Sequence, residues 1–172
     1  MRIDDDDFTL FGLPRRFALD RVALDERWRA LQAEVHPDRF ASEGAAAQRL
    51  AMQWAVRVNR AYQRLKDPLA RGAYLCELRG AAIDAENNTA MPGAFLVQQM
   101  TWREALDDAG DAAEVEQLDD QVQHEQQRLT DVLADALDIA GDPAAAAQQV
   151  RSLMFVSKFR DDIRRRLEAL DA

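Results

Sequence analysis

Apolar residues recur at spacings of three and four almost wherever the chain lacks Pro and Gly, and no apolar/polar alternation coincides with β-branched enrichment. Helices are predicted throughout, and no sheet. Phe8-Thr9-Leu10-Phe11-Gly12-Leu13-Pro14 reads as a short apolar helix or turn that packs on the helices after it. Asp20 is a good N-cap for a helix that lines up Leu24, Trp28, Leu31 and Val35 on one face, with Arg21, Asp25, Arg27, Arg29 and Gln32 opposite. Pro37 ends it, because the residue before a proline is pushed out of the α region. Ser42 is placed to cap the next helix, whose stripe is Leu50, Trp54, Val58, Ala61, Tyr62 and Leu65. The two helices are expected to pair antiparallel around a short loop, His36 to Ala41.

Asp67-Pro68 starts a further helix, with aspartate as cap and proline at the first position, and Leu69, Tyr74, Leu75 and Leu78 follow before Gly80 closes it. Residues 81–91, with Asn87-Asn88-Thr89 among them, have no strong periodicity and read as a linker. Three helices punctuated by Gly and Pro come next: Pro92 to Ala109, Asp111 to Ala140 and Pro143 to Leu170. The middle one carries Val115, Leu118, Val122, Leu129, Val132, Leu133 and Leu137 in the near-heptad pattern of a bundle. The first has two apolar faces, Phe95, Trp102, Leu106 and Ala109 on one and Leu96, Val97 and Met100 on the other beside Glu104 and Asp108. Such a helix either sits centrally in a bundle or offers one face to another protein. In the last helix Phe155 lies at the edge of the stripe of Val156, Phe159, Ile163, Leu167 and Leu170, where burial and exposure are both open. The predicted class is all-α, a helical hairpin over residues 1–75 followed by an antiparallel three-helix bundle over residues 92–172.

The 172 residues suffice for one domain or two small ones, and seven Gly with five Pro leave little room for a turn-rich sandwich or barrel. A net charge of -9 opposes binding to nucleic acid or anionic lipid, yet it averages two unlike halves. Residues 8–75 hold 12 Lys+Arg against 7 Asp+Glu, and residues 76–172 hold 9 against 20. A mildly basic module is thus joined to an acidic one. The lone Cys76 allows no internal disulfide, reads as a small buried residue, and fits a reducing cytoplasm; no Cys/His cluster offers a zinc site. Asp4 to Asp7 occupy the place where a secretory signal would need basic then apolar residues, and are expected to form a disordered, solvated start that buries nothing. No apolar run approaches the length of a membrane span. Arg164-Arg165-Arg166 reads as a solvated patch that complements the helix macrodipole rather than as a nucleic-acid site.

Phosphate-binding glycine loops, a serine elbow and an H-E-x-x-H motif are missing, so neither a metal nor a cofactor is predicted. His124, among glutamines and a glutamate, reads as a surface histidine. His36-Pro37-Asp38 alone would be a helix stop and a turn. At the tip of a helical hairpin with a basic first helix, it resembles the J-domain family, which activates DnaK-type ATPase chaperones. Trp28, Asn59-Arg60-Ala61-Tyr62 and Asp67-Pro68 with Arg71 and Tyr74 agree with that family over about residues 8–75. The resemblance implies that His36, Pro37 and Asp38 dock on an acidic chaperone surface, with Arg27, Arg29, Arg21 and Arg39 supplying steering and rim contacts. The J-domain itself does no chemistry.

General J-proteins continue into Gly/Phe-rich and Cys-rich regions that this sequence lacks. A J-domain joined to an acidic three-helix bundle is instead similar to the HscB family of iron–sulfur cluster assembly co-chaperones. The matching segments are Phe8 to Pro14, His36 to Ser42 and Arg71 to Leu78, and the absence of an N-terminal paired-cysteine module suits a bacterial-type member. The resemblance implies two protein partners, the DnaK-type chaperone HscA and the cluster scaffold IscU. It implies scaffold contacts at Leu96, Val97, Met100, Thr101, Glu104, Asp108 and Phe155. Val97 stands where relatives carry a longer apolar residue, and Thr101 where they often carry an acidic one. Two other readings are a general holdase for unfolded chains and an acid/base or metal enzyme built on His36 and Asp38. The short supply of ligands and nucleophiles speaks against the enzyme.

Overall fold

Aspartates mark the start of most helices, because a carboxylate accepts the backbone N–H groups that a first turn leaves unpaired. In the computed structural model, which describes residues 1–85 and 91–172, Asp6, Asp20, Asp111 and Asp142 each cap a helix. The helices are α1 (Asp7–Phe11), α2 (Arg21–Val35), α3 (Ala45–Lys66), α4 (Pro68–Leu78), α5 (Gly93–Asp108), α6 (Ala112–Asp138) and α7 (Pro143–Asp171). A 3₁₀ turn over Pro37–Phe40 joins α2 to α3. Among the described residues there is no strand, as expected. The chain divides into two compact units, Met1–Leu75 and Cys76–Ala172. Asn87-Asn88-Thr89 lie outside the described residues.

In the first unit α2 and α3 pair, burying Leu24, Leu31 and Val35 against Val58, Ala61, Tyr62 and Leu65. Trp28 stacks on Tyr62 with ring centroids 4.2 Å apart and donates its indole N–H to Asn59 Oδ1 at 3.0 Å. Arg71, at the start of α4, is buried and donates to the carbonyls of Phe17 and Leu65 at 2.8 and 2.6 Å. α1 is held by Phe8, Leu10 and Phe11, all buried, and the left-handed Gly12 ends it at φ 63°.

Three expectations change in this unit. The acidic start does bury something: Asp7 is fully enclosed and accepts from Arg57 Nη1 at 2.8 Å and Arg64 Nε at 2.6 Å, while its own N–H donates to the Tyr74 hydroxyl at 3.0 Å. Two cations on α3 turn one of four like charges into an anchor, a pairing across 50 residues that a local charge count does not register. Ser42 does not cap α3; Gly44 does, at φ 93° and without a side-chain bond, because the 3₁₀ turn delays the helix start. Leu50 is 53% exposed and the smaller Ala51 is buried in its place, which shifts the buried stripe by one position at the start of α3.

Carboxylates at the start of α1 and along α2 make the first unit sensitive to acid. Hydrogen bonds from the Tyr62 hydroxyl (2.8 Å) and from Arg21 (2.9 Å) hold the Asp25 carboxyl below the usual carboxylate range. Burial pushes the Asp6 carboxyl up, but hydrogen bonds from Thr9 and Arg15 outweigh it and the net direction is down. A carboxyl whose folded pKa is depressed contributes stability above its unfolded value and loses it as the pH falls toward the folded one. The first unit should therefore lose stability as the pH drops below about 4. Tyr62→Phe should melt below wild type at neutral pH by a margin that narrows in acid; a margin constant with pH, followed by far-UV circular dichroism, would remove this account.

The second unit is built on the long pair α6 and α7, with α5 laid against both. Asp111 accepts the Glu114 N–H at 2.9 Å while Glu114 reaches back to the Gly110 N–H at 2.7 Å, a reciprocal cap. Phe95, Trp102 and Leu106 enter a core of Val115, Leu118, Val122, Leu129, Leu133 and Leu137 from α6 and Val150, Leu153, Val156, Phe159 and Ile163 from α7. Val132, placed in the α6 stripe from sequence, is 38% exposed. Cys76 is buried, and burial pushes its thiol pKa up. His124 is exposed, and the Arg164-Arg165-Arg166 run is tied down at Asp161, Asp162 and the Ala109 carbonyl.

Candidate functional site

Two surfaces gather the residues singled out from sequence, one on each unit. At the tip of the hairpin Pro37 forces His36 into an extended conformation (φ -62°, ψ 128°), which stops α2 and starts the 3₁₀ turn. His36 Nδ1 then accepts the Asp38 N–H at 3.3 Å and lies 3.6 Å from Asp38 Oδ2. Neither side chain is buried by this: His36 is 59% and Asp38 91% exposed at the side chain. An imidazole and a carboxylate are thus held by the backbone at a protruding corner, rigid and open to solvent.

The four arginines are not equivalent. Arg29 lines a cavity of about 550 Å³ together with His36, Pro37, Gln32 and Asn59, and its guanidinium makes no hydrogen bond among the described residues. Arg39 stays at the tip by donating to the Ala33 carbonyl at 3.2 Å. Arg27 donates to the Phe11 carbonyl at 3.1 Å, which ties α1 to α2. Arg21 pairs with Asp25 at 2.9 Å and sits fifteen residues from His36, roughly 22 Å along the helix axis. Arg29 and Arg39 are therefore the cations best placed beside the tripeptide, and Arg21 the most remote and most neutralised.

On the second unit α5 turns its Phe95, Trp102 and Leu106 face inward and leaves the other open. Leu96, Val97, Met100 and Phe155 are 48, 63, 65 and 42% exposed, four large apolar side chains uncovered on one bundle. Leu96, Met100 and Phe155 line a cavity of about 410 Å³ between α5 and α7, with Phe95 as its floor and Glu104 at its rim. Asp108, the last residue of α5, is exposed farther along, and the Thr101 hydroxyl donates to the Val97 carbonyl at 3.0 Å. The open choice for a two-faced helix is thus resolved: one face is core, the other is surface. Gln99 and Arg103 also line the cavity, although neither is apolar; the signal for Gln99 is an amide at a core-stripe position, four residues after Phe95 and three before Trp102. Arg103 is drawn off by Asp162 at 2.8 Å and lies over the Phe159 ring at 5.0 Å.

Comparison with known proteins covers both units. The family model described as HSCB C-terminal oligomerisation domain matches residues 91–164, the bundle that carries the open face. A co-chaperone protein HscB homolog of Bordetella petrii is 50% identical over 160 residues, covering 92% of this chain and 94% of its own. The chain belongs to the HscB family of co-chaperones. A Paraburkholderia xenovorans HscB homolog is 49% identical and is covered to 98% on both sides. Among solved structures, chaperone HscB from Vibrio cholerae superposes with a TM-score of 0.89 at 37% identity, covering 96% of this chain and 99% of that one. Human co-chaperone protein HscB gives 0.91 at 27% identity, covering 100% and 86%. The HscB relatives are co-chaperones, and the tripeptide of this chain carries its imidazole and carboxylate open to solvent. Among the described residues no helix is long and apolar enough to cross a membrane, and no group of three or more His, Cys, Asp or Glu is placed to hold a metal ion.

Proposed function

We propose that this HscB-family chain stimulates the ATPase of the DnaK-type chaperone HscA through its first unit and delivers the iron–sulfur scaffold IscU through its second. The observation that carries the reading is the pair of differently built surfaces: an exposed, backbone-fixed His36-Pro37-Asp38 beside Arg29 and Arg39, and an open apolar face with Glu104 at its rim and the exposed Asp108 farther along α5. The first suits an acidic chaperone surface, with Asp38 pairing a chaperone arginine and His36 and Pro37 holding the corner in a low-entropy pose. Stimulation requires that this corner bind the hydrolysis-competent conformation of HscA more tightly than the resting one. The second supplies Leu96, Val97, Met100 and Phe155 as central anchors for IscU, with Thr101, Glu104 and Asp108 at the polar edge.

Calorimetry with IscU tests the second half directly. Leu96→Ala combined with Phe155→Ala should weaken binding roughly 100-fold, because two exposed anchors are truncated at the centre of the face. Neither residue belongs to the bundle core, so the thermal midpoint should stay close to wild type. Wild-type affinity in the double variant would overturn the assignment of this face, and preferential capture of unfolded peptide over folded IscU would favour the general holdase.

A further inference from the structure

The groove between α5 and α7 contains a polar atom that the fold leaves unserved. Gln99 lines the groove with Leu96, Met100 and Phe155, and its amide Nε2 is buried with no hydrogen-bond partner among the described residues. A buried donor without an acceptor is destabilising, and an apolar side chain of the same shape would relieve the cost. Leu or Met would fit a position one turn from Phe95, so the amide weakens the free bundle. Its neighbours do not relieve it: Arg103 is another donor and is already engaged by Asp162, while the Thr101 hydroxyl is spent on its own helix.

We propose that Gln99 is a specificity-determining residue of the scaffold-binding groove, whose amide donates to a main-chain carbonyl of the bound protein. The inference rests on the reading of the α5/α7 face as the site for IscU. The apolar anchors around it would accept any greasy surface of suitable shape. A buried donor beside them rewards a partner that brings a carbonyl oxygen to the amide once the side chain turns into the groove, and gives nothing to one that presents hydrocarbon, which leaves the amide as unpaired as it is in the free bundle. The acceptor is a carbonyl rather than a carboxylate, because Glu104 already places a negative charge at the same rim.

The proposal gives stability and binding opposite signs. Gln99→Met, an apolar side chain of similar length, should raise the thermal midpoint of the full chain and weaken IscU binding about ten-fold. Gln99→Glu keeps the shape but removes the donor at neutral pH, and should weaken binding at least as much. Calorimetry and thermal melts of wild type, both Gln99 variants and the Leu96→Ala/Phe155→Ala pair separate the possibilities. If wild type binds IscU and the double variant does not, yet Gln99→Met binds like wild type, the role of Gln99 is overturned while the groove survives. A Gln99→Met chain that melts lower than wild type would also overturn it, because the amide would then be satisfied in the free protein. If the double variant binds normally, the groove itself is misassigned and both readings fall together.

Discussion

His36→Gln is expected to abolish stimulation of the HscA ATPase while leaving both the fold and IscU binding intact. The tripeptide turn contains no buried residue, so nothing in the core depends on the imidazole. What the side chain does supply is an acceptor, Nδ1, for the Asp38 N–H at 3.3 Å, on a ring that has only two rotatable bonds. Glutamine can present an acceptor but loses the planar ring, and its extra torsion lets the corner sample conformations that a docking partner would have to freeze. The loss falls on the chaperone-bound state alone. Single-turnover hydrolysis by HscA, with and without IscU, should therefore show the basal rate for the variant, and circular dichroism should show an unchanged melt. Stimulation equal to wild type would sink the docking assignment of the hairpin tip. Asp38→Asn should act in the same direction, since a neutral amide cannot form the charge pair proposed for Asp38.

Asp7→Ala is expected to destabilise the first unit by about 2–4 kcal/mol. Asp7 is fully buried and receives Arg57 and Arg64 from positions two turns apart on α3, and the guanidinium of Arg64 in turn lies 3.8 Å from the Tyr74 ring centroid. Removing the carboxylate leaves two cations facing one another without their shared anion, which costs more than the pair itself contributes. Arg57 and Arg64 are 20 and 36% exposed at the side chain, so solvent screens part of the penalty and the lower end of the range is favoured. Urea denaturation followed on the first unit's aromatic signal should show the drop. A change below about 0.5 kcal/mol, the scale of an ordinary surface substitution, would mean that the network contributes little. Asp7→Asn should fall between the two, since an amide oxygen can still accept one of the two hydrogen bonds.

Local rules account for much of what was legible. Helix starts at Asp20, Asp67-Pro68, Asp111 and Pro143 follow from capping chemistry that acts within four residues, and the stripe Val115 to Leu137 follows from one periodicity. The end of α2 at Pro37 is fixed by a steric clash between adjacent residues. Such effects need no knowledge of the rest of the chain. Two of the expectations that failed, Ser42 as a cap and Leu50 as core, lie beside the 3₁₀ turn, where the helix start depends on where α2 has already ended.

The tripeptide, the basic hairpin and the two-faced α5 could be read from the sequence because each is a pattern along one segment. Three things could not. Burial of Asp7 required Arg57 and Arg64 to arrive from fifty residues away, and a run of aspartates carries no sign of that by itself. The choice between the two faces of α5 required the positions of α6 and α7, since both faces satisfy the same helical period. The isolation of the Gln99 amide required the whole groove around it. Where helices begin, end and turn apolar is written in short stretches of residues, because those energies are local. Which charges are paired and which apolar surface stays uncovered emerges only on packing, because those energies are summed over neighbours that the chain brings together last.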